Sequence, residues 1–131
     1  MPFDFNQFLI LAEELASKGD EASKRSSISR AYYTAYHLAL ARAETNVGEW
    51  RNRIDKKLSA HVWCWKQYSD TSNVYCQQIG IDGDRMKRRR HLADYQKNDI
   101  ANLDAEVQRQ IEDVRQFQID LAALDLRYPR P

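Results

Sequence analysis

The sequence predicts an all-α domain, a bundle of four to five helices. Three observations carry this. The 131 residues hold only four Gly and three Pro, and two of the prolines, Pro129 and Pro131, sit in the last three positions. A many-stranded β fold needs far more punctuation than that. Apolar residues also recur in steps of three and four over long stretches. The longest such stripe is Ile100, Leu103, Val107, Ile111, Val114, Phe117, Leu121 and Leu124. With 43% hydrophobic and 30% charged residues, the chain is globular in composition and long enough to bury one core.

The elements follow in order. A first helix is expected from about Asp4 to Lys18, with Phe5, Phe8, Leu9, Ala12, Leu15 and Ala16 on one face and Gly19 as its stop. Asp20 then caps a second helix over Glu21 to Glu44, whose apolar arc is Ile28, Ala31, Tyr32, Ala35, Leu38 and Ala39. A tight turn between them makes an antiparallel pair. Residues 45–58 are polar and aperiodic and read as a loop. Ser59 can cap a third helix over Ala60 to Tyr68, with Val62 and Trp65 inward. Residues 69–83 read as irregular, because Gly80-Ile-Asp-Gly83 is a turn signal. A fourth helix is expected from Asp84. The last starts between Asp99 and Asp104 and ends near Leu126. Its apolar stripe is core packing or a helix-pairing seam, long enough to suggest a second copy. The whole chain, residues 1–131, reads as one domain.

Several function classes are disfavoured. Net charge is +1, so no global basicity announces a nucleic-acid binder. Cys64 and Cys76 form no CxxC pair and read as reduced thiols of a cytoplasmic protein. The start, MPFDFNQ, lacks the basic region of a signal peptide, and no apolar run approaches the ~18 residues of a membrane span. His37, His61 and His91 are too dispersed for metal-ligand spacing, and no cofactor is expected. There is no Gly-rich phosphate loop and no Ser-nucleophile motif.

Two constellations remain. Ser26, Arg30, Thr34, His37 and Ala41 fall on one stripe of the second helix, away from Ile28, Ala35 and Ala39. The Cα atoms of Arg30 and His37 lie roughly 10.5 Å apart along the axis, so an extended Arg could bring both heads to one phosphate. The bland reading is a polar packing face. The second constellation is the run Arg85-Met-Lys-Arg-Arg-Arg-His91, in which five of the six residues before the His are basic. Arg88, His91 and Tyr95 share a helix face, and Arg90 and Asp94 are spaced to pair. An imidazole beside guanidinium groups suits metal-free RNA cleavage: His moves a proton and Arg neutralises the phosphorane. The bland reading is a basic surface that binds phosphate or an acidic partner.

The stretch Arg25-Ser-Ser-Ile-Ser-Arg-Ala-Tyr-Tyr-Thr-Ala-Tyr-His37 resembles the signature helix of small stand-alone prokaryotic HEPN proteins. Arg90-His-Leu-Ala-Asp-Tyr95 is similar to the pattern that follows it in the same group, and His61 occupies a plausible third position between the two. The resemblance covers roughly residues 5 to 125. It implies a helical bundle that is usually a homodimer, often a metal-independent ribonuclease of toxin–antitoxin or phage-defence systems. The family's signature is Arg, four to six residues, then His. Arg30/His37 and Arg85/His91 both fit, the second lying where the ribonuclease motif usually falls. Ala93 stands where some members carry a Tyr two residues after the His.

Two function classes are therefore expected. In the first, a HEPN-type endoribonuclease, Arg85 or Arg88 neutralises the phosphate and His91 acts as acid or base. Arg30 and His37 line the same cleft, while His61, Lys87, Arg89, Arg90 and Tyr95 bind RNA or nucleotide. The second is a non-catalytic module that uses the same basic face to hold a nucleotide, an RNA or a partner such as an antitoxin or nucleotidyltransferase.

Overall fold

The computed structural model describes residues 2–46 and 58–128. They form five α-helices and no strand: α1 (Asn6–Ala16), α2 (Glu21–Asn46), α3 (Ala60–Ser69), α4 (Val74–Tyr95) and α5 (Leu103–Arg127). The helix starts follow capping chemistry. The Asp20 carboxylate accepts the Ser23 N–H at 2.9 Å, and Ser59 Oγ accepts that of Val62 at 3.2 Å. α5 instead leaves Asn102 in the left-handed region (φ 55°) and places Asp104 and Glu106 at its positive end. The loop expected at 45–58 lies almost wholly outside the described residues.

The core sits between α2, α4 and α5, closed by α1 on one side and α3 on the other. Ile28, Ala31, Tyr32, Ala35 and Ala39 of α2 are buried as expected, and Leu38 is half-buried. From Val107 to Leu124 the stripe of α5 is buried within a single chain. That corrects the expectation that it exceeds what one bundle covers, so the stripe gives no reason for a second copy. Gln110, fully buried, ties the three central helices together. Its amide donates to the carbonyls of Ile28 (3.4 Å) and Met86 (3.0 Å), while its oxygen accepts from Arg89 (2.6 Å). Arg25 fastens the end of α4 to α2 by donating to the carbonyls of Ala93, Gln96 and Asn98.

Two expectations about α3 and α4 are corrected. Val62 is only half-buried, whereas Trp63, Cys64, Trp65 and Tyr68 all turn inward. More importantly, α4 begins at Val74, ten residues before Asp84. Asn73 caps it by accepting from the N–H groups of Tyr75 (2.9 Å) and Cys76 (3.2 Å). Gly80 and Gly83 lie inside the helix rather than in a turn. The reason is steric. A Cβ on Gly83 would lie 2.0 Å from Cε3 of Trp65, and one on Gly80 would lie 2.5 Å from the Ser69 nitrogen. The two glycines let α4 lie directly on α3. Similarly, Gly19 has no positive φ, and α1 has already ended at Ala16.

Gly83→Ala should therefore destabilise the fold by at least the ~1–3 kcal/mol typical of overpacking. Gly19→Ala, where a Cβ meets nothing within 4 Å, should cost nothing. Urea unfolding followed by circular dichroism compares the two; equal midpoints would show that the α3–α4 contact is not tight.

Candidate anion-binding groove

α4 carries its basic run as a helix, so the run is divided among faces rather than concentrated. At ~100° per residue, Arg85 and His91 are rotated about 240° apart. Arg85 turns to α5 and pairs with Asp113 (3.2 Å) and with Asp82 (3.0 Å). Arg89 follows it, bonded to Glu106 (3.1 Å), Asp113 (2.9 Å) and Gln110. These two arginines hold α4 to α5 and are separated from His91.

The remaining members of the run face a groove of about 610 Å³ between the start of α3 and the second half of α4. Its lining is Ser59, His61, Lys87, Arg88, Arg90, His91 and Leu92. Two carboxylates offset part of its charge. Asp84 pairs with Arg88 (2.7 Å) and Lys87 (3.4 Å), and Asp94 reaches Arg90 at 3.5 Å, the pair expected from the spacing. Arg88 is nonetheless 76% exposed, and exposed ion pairs are weak. The His91 ring lies tilted against Tyr95, with 4.8 Å between ring centroids.

Arg90 is held differently. Its side chain is only 12% exposed. The guanidinium lies 5.4 Å from the centroid of Tyr32 and 5.6 Å from that of Tyr33. Its Nε is buried with no hydrogen-bond partner among the described residues. A buried donor without an acceptor is costly.

His61 is fixed by a chain of hydrogen bonds. Trp65 Nε1–H, which can only donate, gives to Tyr32 Oη at 3.0 Å. Tyr32 Oη lies 2.7 Å from His61 Nδ1. The Tyr32 O–H has no other acceptor among the described residues, so it donates to Nδ1, which assigns that nitrogen as acceptor and leaves the His61 proton on Nε2. Burial, then the charges of Arg90 and Lys87, push the His61 pKa down to about 4. His61 is therefore a neutral donor to the groove, its ring stacked on Tyr36 at 4.1 Å. The sequence singles out His61 but not Tyr36, nor Tyr32 and Trp65, which it reads as core. The pairing of Tyr32 with Tyr36 and of His61 with Trp65 at four-residue spacing is the signal that locates them.

The α2 stripe is only partly as expected. Thr34 is buried and bonds back to the Arg30 carbonyl at 3.3 Å, a core contact rather than a polar lining. Arg30 lies over the rings of Phe8 (5.0 Å) and Tyr33 (4.9 Å). His37 stacks on Phe5 at 3.8 Å, and burial followed by the nearby Arg30 charge holds its pKa below the ordinary value. Arg30 and His37 are thus neighbours, but beside the groove, not among its lining residues.

Among the described residues no three His, Cys, Asp or Glu side chains are placed to hold a metal ion, and no helix is long and apolar enough to cross a membrane. Comparison with family models, curated proteins and solved structures gives no match for this chain.

The burial of His61 beside two cations yields a pH prediction. His61 is neutral in the fold down to about pH 4, whereas an unfolded His takes a proton near 6.5. Between those values the unfolded chain binds the extra proton, so stability should fall as pH drops from 6.5 toward 4. A His61 titrating near 6.5 would contradict its burial beside Arg90 and Lys87; nitrogen-15 NMR of the imidazole should show Nε2–H over this window, and Nδ1–H would contradict the hydrogen-bond chain. Tyr32→Phe should cost about 1–3 kcal/mol, because it orphans the Trp65 donor.

Proposed function

We propose that this protein is an RNA-directed, HEPN-type protein, and that it cleaves RNA without a metal ion. The observation that supports this most is the content of one groove: two imidazoles, Lys87, Arg88 and a buried Arg90 with an unused donor. Those groups match the needs of a phosphodiester whose 2′-hydroxyl is the nucleophile. The 2′-oxygen bonds to phosphorus, the bond to the 5′-oxygen breaks, and the proton passes from the first oxygen to the second. His91 is the group that carries it. His61, with Nδ1 occupied by Tyr32, serves as a hydrogen-bond donor to a phosphate oxygen. Arg90 and Arg88 neutralise the charge that develops on phosphorus.

A non-catalytic module is the second reading, and one observation favours it. Arg85 is held by Asp82 and Asp113, so the Arg85/His91 spacing does not meet at one point. The groove would then bind RNA or nucleotide without cutting it. A cytoplasmic setting, a homodimer and an antitoxin or nucleotidyltransferase partner rest on the sequence resemblance and composition alone.

Incubation with total RNA in EDTA separates the readings. The wild type should cut and leave 2′,3′-cyclic phosphate ends, and His91→Ala should be slower by about 10²–10⁴-fold with unchanged helicity. Arg85→Ala should retain activity. If Arg85→Ala is inactive while folded, or His37→Ala alone abolishes cleavage, the wrong residues have been chosen; if the wild type binds RNA but never cuts it, the binding module stands.

A further inference from the structure

Beyond the groove, the guanidinium of Arg30 is the least explained charged group among the described residues. It is half-buried, yet it has neither a carboxylate nor a hydrogen-bond acceptor from its side chain there. Only the rings of Phe8 and Tyr33 hold it. Tyr33 is shared, since Arg30 lies 4.9 Å and Arg90 5.6 Å from the same ring centroid. The His61 ring, which lines the groove, is 5.7 Å from Tyr33, and the His37 ring is 6.0 Å away on the Arg30 side. Rings and guanidinium groups thus alternate without a break from the groove to α1.

We propose that Arg30, with Tyr33 beneath it, is a second phosphate-binding position next to the one at Arg90, so that the ligand is single-stranded RNA engaged through two successive phosphates. This rests on the RNA-directed reading of the groove and names the ligand that the groove alone leaves open. Arg30 is pre-oriented by the two rings, which leaves its donors available for a planar, bidentate contact with phosphate. An alternation of rings and cations matches a single strand, in which unstacked bases alternate with phosphates. A duplex keeps its base faces covered and would leave the rings unused. Tyr95, 65% exposed beside His91, extends the same pattern at the far end of the groove. Arg30 is a binding residue in this account, and its pairing with His37 is not a second catalytic centre.

The test is a titration with UMP, carrying one phosphate, and with the 2′-O-methylated dinucleotide pUpU, which carries two and lacks the nucleophile. For the wild type, the second phosphate should tighten binding on the order of tenfold and steepen the plot of log K against log salt by about 0.7. Arg30→Met keeps the apolar stem between Phe8 and Tyr33. It should lose both gains while binding UMP as before. Equal slopes for UMP and pUpU in the wild type overturn the second position without any variant. So does a full gain in Arg30→Met, once a thermal melt shows it folded. Either result leaves the groove reading intact provided Arg88→Ala still weakens UMP. If the wild type binds UMP and pUpU no better than Arg88→Ala does, the groove reading itself fails, and the second position with it.

Discussion

The contact between Trp65 and the bare backbone of Gly83 governs much of this molecule. With no side chain at Gly83, α4 lies close enough to α3 for the indole to be buried against the helix itself. The buried indole N–H then needs an acceptor and finds Tyr32 Oη on α2. Tyr32 in turn donates a hydrogen bond to His61 Nδ1, which leaves the ring proton on Nε2 of a residue that lines the groove. A packing constraint inside the bundle thus becomes the tautomer of a histidine at its surface.

The rotation of α4 and the acids of α5 explain how a nearly neutral chain collects cations in one groove. α4 carries arginines around more than one face, and α5 presents Glu106 and Asp113 to two of them. Arg85 and Arg89 are neutralised there and serve as ties between helices. On the other face, Arg90 is drawn inward over Tyr32 and Tyr33, where Asp94 meets it only at 3.5 Å. The charge that matters is the part left over after α4 has packed, and net charge along the chain does not report it.

Periodicity makes most of the fold legible. The apolar arcs of α2 and α5, the caps at Asp20 and Ser59, and the Arg90–Asp94 pair can all be read from spacing and chemistry. Gly80 and Gly83 mislead because a glycine pair signals a turn unless one knows that an indole lies across it. The basic run likewise reads as one patch until the helix rotation and the acids of α5 divide it. His61, His91, Lys87, Arg88 and Arg90 can be named from the chain, and the structure gathers them in one groove. Tyr32 and Trp65 cannot be told from core residues, because their polar atoms gain meaning only from partners distant in sequence.

The central claim is that ligand enters between α3 and α4, on the His61–Arg90–His91 face, and not along the Arg85–Arg89 face toward α5. Amide chemical-shift mapping with a short 2′-O-methylated uridine strand tests this most directly. Shifts should concentrate at residues 59–61 and 87–92, with Arg30 and Tyr33 joining them, and Asp82, Asp113 and their arginine partner Arg85 should not move. Shifts centred on Arg85 and Asp113, or none in the groove at saturating strand, would contradict it.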